Sequence, residues 1–80
     1  MIYLVFSTDQ WQTKDSYELE GVCSTLNRAR DVVQKIFDEY PTDTKSVIKT
    51  TKINTNIFTD LEVYDCESGL EWKLEESLYA

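Results

Sequence analysis

The chain has 80 residues, of which 41% are hydrophobic and 29% charged, and its formal net charge is −7. This length suits one domain spanning residues 1–80, and the apolar content is too high for a disordered segment. An acidic protein repels phosphate, and the sequence lacks histidine, the commonest general base and metal ligand. We therefore expect a folded, non-enzymatic protein with no cofactor, no metal site and no direct contact with nucleic acid.

The first 23 residues predict two strands joined by a polar loop. Residues 2–7 are apolar at nearly every position, which is typical of a central strand covered on both faces. Residues 17–23 alternate between apolar and polar side chains. Trp11 lies in the loop 8–16, and a large aromatic in a polar loop is often an interface anchor. The other interpretation is that Trp11 folds back over the edge of the sheet.

The sequence predicts a cytoplasmic protein that does not contact a membrane. Its apolar start, residues 1–6, has no basic flank and is too short for a signal or membrane segment. In the cytosol Cys23 and Cys66 would stay reduced. These cysteines stand 43 positions apart in a chain without histidine, so they form no metal-binding motif.

A helix is predicted over residues 25–40. Its apolar residues recur every three or four positions, Ser24 or Thr25 can cap its start, and Pro41 prevents its continuation. We expect one core in which the helix residues Leu26, Val33, Ile36 and Phe37 pack against Leu4, Phe6, Leu19 and Trp72.

The remainder of the chain predicts a strand at 46–54, a turn at 54–56 and a hairpin of residues 61–65 and 70–75. A two-residue hairpin turn would set Glu62 against Glu75, whereas a four-residue loop, 66–69, sets it against Lys73. We favour the longer loop, because opposite charges stabilise a strand pair. The apolar residues expected on one face of this hairpin are Leu61, Val63, Leu70, Trp72 and Leu74.

The predicted fold is α+β, of order β-β-α-β-β. It is an antiparallel sheet of four strands, or five if residues 57–59 form a short strand, with one helix packed on one face. The other face is then left without cover, and we expect Tyr3, Val5 and Val22 to appear on it. A bare apolar face on a small domain is commonly sealed by a homodimer.

Acidic residues are concentrated at the end of the sequence. Residues 60–80 hold seven acids and Lys73 as the one base. One interpretation is a solvated outer face that protects an edge strand from pairing. The other is a surface that docks on a basic protein partner. The residues expected to contact that partner are Trp11, Glu62, Tyr64, Glu71 and Glu75.

The N-terminal third of the sequence follows a pattern that is also found in other small proteins. Ile2-Tyr3-Leu4-Val5-Phe6, followed by Tyr17 to Thr25 running into Ala29, resembles the start of many small uncharacterised bacterial and phage proteins. In those a second strand ends in a Gly-Val-aromatic-Ser pattern before a helix, whereas here Cys23 replaces the aromatic. The resemblance covers residues 1–33 and implies a sheet-and-helix fold and a phage or mobile-element origin. It transfers no catalytic residue.

Together these patterns favour a protein-interaction module, such as a phage or mobile-element accessory protein, that docks an acidic hairpin face on a basic partner. The alternative is a small-ligand-binding or regulatory domain with its site near the loop 8–16. A concave apolar cleft near Trp11 would favour the ligand, and a flat acidic sheet face would favour the protein partner.

Overall fold

Five antiparallel strands form one sheet, with an α-helix packed on one face. The computed structural model describes residues 1–52 and 56–74. The elements are β1 (Ile2–Asp9), β2 (Glu18–Cys23), α1 (Leu26–Glu39), β3 (Thr44–Thr51), β4 (Thr59–Asp65) and β5 (Gly69–Lys73), with a 3-10 turn at Lys14–Ser16. The strand order is β2-β1-β3-β4-β5. The α+β class is confirmed, and the sheet has five strands without a separate strand at residues 57 and 58.

The helix begins and ends where the sequence predicts. The Thr25 hydroxyl oxygen accepts a hydrogen bond from the Arg28 backbone N–H at 3.3 Å, which caps the first turn. At the other end the Tyr40 N–H donates to the Ile36 carbonyl at 2.7 Å, directly before Pro41. Proline cannot continue the hydrogen-bond ladder, so the helix stops.

The helix covers the opposite face of the sheet from the one we expected. Val5 and Ile48 are completely buried against Ala29, Val33 and Ile36 of α1. Residues opposite each other on paired strands share a face, and Tyr3 lies opposite Cys23, so both are also on the helix side. The prediction that Tyr3 and Val5 lie on the bare face is therefore wrong, whereas Val22 does lie there.

Gly21 explains in part why the helix covers this face of the sheet. It lies opposite Val5, on the face of β2 that receives the helix. A Cβ placed on Gly21 would lie 3.3 Å from both Cγ atoms of Val32, tighter than ordinary van der Waals contact. The missing side chain lets α1 approach β2 closely, which favours this face for the helix.

Three β-bulges change which side chains share a face. The register shifts leave Glu20 of β2 without a direct partner on β1, Leu61 of β4 without one on β3, and Glu71 of β5 without one on β4. An extra residue in one strand reverses the alternation beyond it. Leu61 therefore joins the core under the helix, whereas Val63 faces the other way. The expectation that the hairpin's apolar residues share one face is wrong for this reason.

The hairpin pairing itself is confirmed. Glu62 lies opposite Lys73, as the charge argument predicts. The loop is one residue shorter than expected, residues 66–68, and Gly69 follows it with φ +78°, a conformation that favours glycine. Residues 57 and 58 form no separate strand, and β3 ends at Thr51. Two of the three residues of the predicted turn at 54–56 lie outside the described residues. Glu75 also lies outside them.

Candidate interaction surfaces

Trp11 projects from a loop whose backbone is fixed by one carboxylate. Asp9, the last residue of β1, accepts hydrogen bonds from the backbone N–H groups of Trp11 and Thr13 and from the Thr13 hydroxyl. Gln12 adopts φ 54°, and its backbone N–H donates to the Asp9 carbonyl. The Trp11 side chain remains 76% exposed. It does not fold back over the sheet, so the interface-anchor interpretation agrees with its placement.

The polar groups of this loop are bonded to one another. The Thr8 and Ser16 hydroxyls lie 2.6 Å apart, and the Asp9 backbone N–H donates to Ser16 Oγ. The Gln12 amide donates to the Tyr17 hydroxyl at 3.1 Å. A segment held this way loses little conformational entropy when a partner binds. The loop therefore displays a large aromatic ring in a preorganised setting.

The Asp9 carboxylate should make this loop sensitive to acid. Its hydrogen bonds with the Thr13 hydroxyl and then the Thr13 backbone N–H hold the pKa of Asp9 below its usual value. A carboxyl whose pKa is lower in the folded state stabilises that state above the unfolded pKa. This contribution is lost as pH falls through the folded pKa. Acidification below the usual aspartate range should loosen the loop while the sheet remains.

We expect Asp9→Asn to reproduce that loosening at neutral pH, because an amide presents one acceptor oxygen in place of two. NMR relaxation should show the order parameter of the Trp11 backbone falling toward the flexible range, below about 0.6, with strand signals unchanged. Asp15→Asn in the same loop is the matched control. Equal order parameters in the parent and both variants would contradict the role assigned to Asp9.

Glu62 is buried on the helix side of the sheet and does not project outward. Its side chain is 2% exposed, and its two oxygens accept hydrogen bonds from Arg30 of α1 at 2.9 and 2.7 Å. The Tyr64 hydroxyl also donates to Glu62 at 2.9 Å. Burial raises the pKa of Glu62, but these hydrogen bonds and the Arg30 charge outweigh it and hold the pKa below its usual value. The expectation that Glu62 meets a partner is therefore wrong for the folded chain.

The other predicted contact residues do not form one surface. Tyr64 is half-buried beside Glu62, and burial followed by the Glu62 interaction raises the pKa of its hydroxyl. Glu71 makes an ion pair with Lys45 at 2.8 Å, which raises the pKa of Lys45. Trp11 lies in the loop at the end of β1, and Glu75 lies outside the described residues. Of the predicted set, the structure brings Glu62 and Tyr64 together.

The face of the sheet opposite α1, here called the open face, carries a feature that sequence reasoning missed. Direct cross-strand pairs connect one apolar residue from every strand: Phe6 pairs with Leu19 and with Val47, Val47 with Val63, and Val63 with Trp72. We call this set the cross-sheet row. Its ends are exposed, Leu19 by 55% and Trp72 by 45%. Finding it from sequence requires the positions of the bulges in β2, β4 and β5.

Two lysines of β3 cover the middle of the open face. Lys45 and Lys49 flank Val47, which is fully buried. Lys49 lies 3.6 Å from Asp60 and 5.6 and 5.4 Å from the ring centres of Phe6 and Tyr17. Lysine stems commonly lie along apolar surface while the ammonium reaches an acid. The lysines are thus engaged within the chain and form no free basic groove.

The two cysteines lie at opposite ends of the sheet. Cys23 lies opposite Tyr3, near the start of β1. The Cys66 backbone N–H donates to the Thr44 carbonyl, and Thr44 lies opposite Asp9, the last residue of β1. Six residues of strand separate these positions, roughly 20 Å, far beyond the reach of a disulfide. Both thiols are free.

Within residues 1–52 and 56–74, no group of three acidic or cysteine side chains is arranged to hold a metal ion. The helix in the same part of the chain is neither long nor apolar enough to cross a membrane. Comparison with protein-family models, with curated proteins and with solved structures finds no match to this chain.

Proposed function

We propose that this chain is a non-enzymatic protein-interaction module that anchors to a protein partner through Trp11. The observation that carries the proposal is a 76% exposed tryptophan on a loop ordered by Asp9. Tryptophan is among the residues most enriched at the energetic centres of interfaces. An ordered loop that leaves such a ring in water is best accounted for by a partner that covers it.

The partner we infer is basic. The chain carries a net charge of −7, and exposed acids stand at the Trp11 end of the sheet, including Asp15 in the loop and Asp43 before β3. The β4–β5 turn at the same end adds exposed Glu67. Such a field steers basic proteins toward the anchor and repels nucleic acid. A cytosolic setting accords with the two free thiols.

The small-ligand alternative has less support. The Trp11 ring is too exposed to form the wall of a cavity, and ligand sites bury most of what they bind. The loop's hydroxyl and amide groups are bonded to one another. A role as a phage or mobile-element accessory protein is part of the proposal and depends on the resemblance of residues 1–33 alone.

The proposal can be tested by placing a photo-activatable benzophenone side chain at position 11 and, as a control, at position 70. Leu70 is also exposed but lies on the edge strand β5, three strands away from β1. In cells of the source organism, position 11 should cross-link to one protein and position 70 should not. The captured protein is then purified for binding measurements.

Trp11→Ala should weaken binding to that purified protein by at least about 30-fold, the effect of a hot-spot residue. Leu70→Ala should leave the affinity unchanged, and higher salt should weaken binding of the parent because it screens the acidic field. Equal affinities for the parent and Trp11→Ala would refute the anchor. Absence of any cross-link at position 11 would refute the interaction itself.

A further inference from the structure

The open face has a charge balance unlike the rest of the molecule. Lys45 is paired with Glu71 and Lys49 with Asp60, so the charges of these two pairs cancel. Asp65, opposite Lys45 on the same face, adds an acid whose carboxylate accepts hydrogen bonds from the Glu67 and Ser68 backbone N–H groups. The whole chain, in contrast, carries −7. A basic partner is drawn to uncompensated acids, whereas a second copy of an acidic chain can approach most closely where its charges are already paired. The charge pattern of the open face therefore suits a copy of this chain.

The cross-sheet row is also complementary to itself. Strand β3 is the middle of the five, so a two-fold axis along β3 exchanges β2 with β5 and β1 with β4. Under this operation exposed Leu19 of each copy meets exposed Trp72 of the other at the two ends of the row, and the Lys45 and Lys49 ion pairs, which cover the fully buried Val47, lie between these two contacts. The contact between Leu19 and Trp72 therefore occurs twice, once in each direction, as an isologous interface requires. Two sheets that pack face to face with nearly aligned strands are also common in proteins.

The area is sufficient for a reversible dimer. Five strands spaced about 4.8 Å apart and about 20 Å long present roughly 500 Å² on each copy, or about 1,000 Å² in total. This lies at the lower limit for a specific interface. Each lysine brings its own acid into the contact, and Asp65 keeps its backbone hydrogen bonds, which limits the cost of burying these charges. Exposed Val22, beside Leu19 on the same face, adds apolar surface at the rim.

From these observations we propose that a second copy of this chain covers the open face, with Trp72 of each copy packed against Leu19 and Val22 of the other. The dimer is independent of the Trp11 loop, which lies at the end of the strands. Because two copies of charge −7 repel each other, salt should strengthen this association. That dependence is opposite in sign to the one expected for a basic partner.

Light scattering across a range of concentrations up to about 1 mM, a range suited to a small interface, should show the mass rising from 9.4 kDa to twice that value. Trp72→Ala should weaken dimerisation at least about tenfold, whereas Trp11→Ala, a matched change of an exposed tryptophan, should not. Val22→Glu, at a position 61% exposed, provides a second disruption that leaves the fold intact. A strict monomer at the highest concentration would overturn the proposal.

Isotope-filtered NMR on a mixture of labelled and unlabelled chains tests the arrangement itself. Leu19 and Trp72 lie on the two edge strands, four strand spacings or about 19 Å apart within one copy. A nuclear Overhauser contact between the Leu19 methyl groups and the Trp72 ring can therefore arise only between copies. We expect that contact, and a dimer that lacks it would refute the proposed two-fold arrangement.

Discussion

Ile48→Ala should destabilise the domain more than any other single truncation. Ile48 is the largest fully buried side chain among residues 1–52 and 56–74, and it lies in the middle strand, directly opposite Val5 and beneath α1. Truncating such a residue costs about 3 to 4 kcal/mol, because the cavity left behind cannot fully collapse. A domain of this size has a free energy of unfolding of roughly 4 to 12 kcal/mol. The variant should therefore unfold at a temperature about 15 to 25 °C lower.

The matched control for this experiment is Val22→Ala, at an exposed position on the open face. It should change the free energy of unfolding by less than about 1 kcal/mol, as surface changes usually do. Urea denaturation followed by circular dichroism measures both variants. A large loss for Val22→Ala with no loss for Ile48→Ala would place the helix on the other face of the sheet.

Arg30→Ala should also cost several kcal/mol, although Arg30 lies on the surface of the helix. The change leaves the Glu62 carboxylate buried without its bidentate partner. Breaking a buried ion pair from one side typically costs 3 to 5 kcal/mol, and we expect about 3 because the Arg30 side chain is 45% exposed to screening water. Glu62→Gln in the Arg30→Ala background should recover part of the loss, since no buried charge then remains.

The pH dependence distinguishes this electrostatic effect from lost packing. In the parent the pKa of Glu62 is lowered, so the pair stabilises the fold above the unfolded carboxyl pKa and this contribution is lost as pH falls through the folded pKa. Without Arg30, burial raises that pKa, and the variant regains stability as Glu62 takes up a proton. The stability gap between the two proteins should therefore narrow on acidification. A gap that is constant from pH 7 to about pH 3, below the ordinary glutamate range, would show that Arg30 acts by packing.

Local patterns predicted the helix and the hairpin pairing correctly. Both depend on neighbours in sequence: the apolar stripe of α1 between Thr25 and Pro41, and the opposite charges of Glu62 and Lys73. The face that receives the helix was not predictable in this way, because β1 is apolar on both sides. Part of the explanation is the fit between Gly21 and Val32, which are brought together by the folded chain.

Each wrong expectation about the acidic hairpin has a bulge nearby. The extra residue Leu61 turns into the core, and Glu62 follows it on the helix side, where Arg30 lies within reach. The extra residue Glu71 reaches Lys45 across β4. A bulge depends on how two strands meet, so alternation within one strand does not reveal it. For Trp11 the sequence left two interpretations open; its exposure depends on a loop closed by its own residues and on no bulge.

The position of β1 between β2 and β3 has a consequence for how the chain folds. Its pairing with β2 is local, and β3, β4 and β5 form a second local unit. The two units join where the Ser46 hydroxyl donates to the Phe6 carbonyl, across 40 positions of sequence. Contacts between distant positions form slowly, so this junction should set the folding rate. Until it closes, β1 and β3 each present an unpaired edge, through which two partly folded chains can exchange strands.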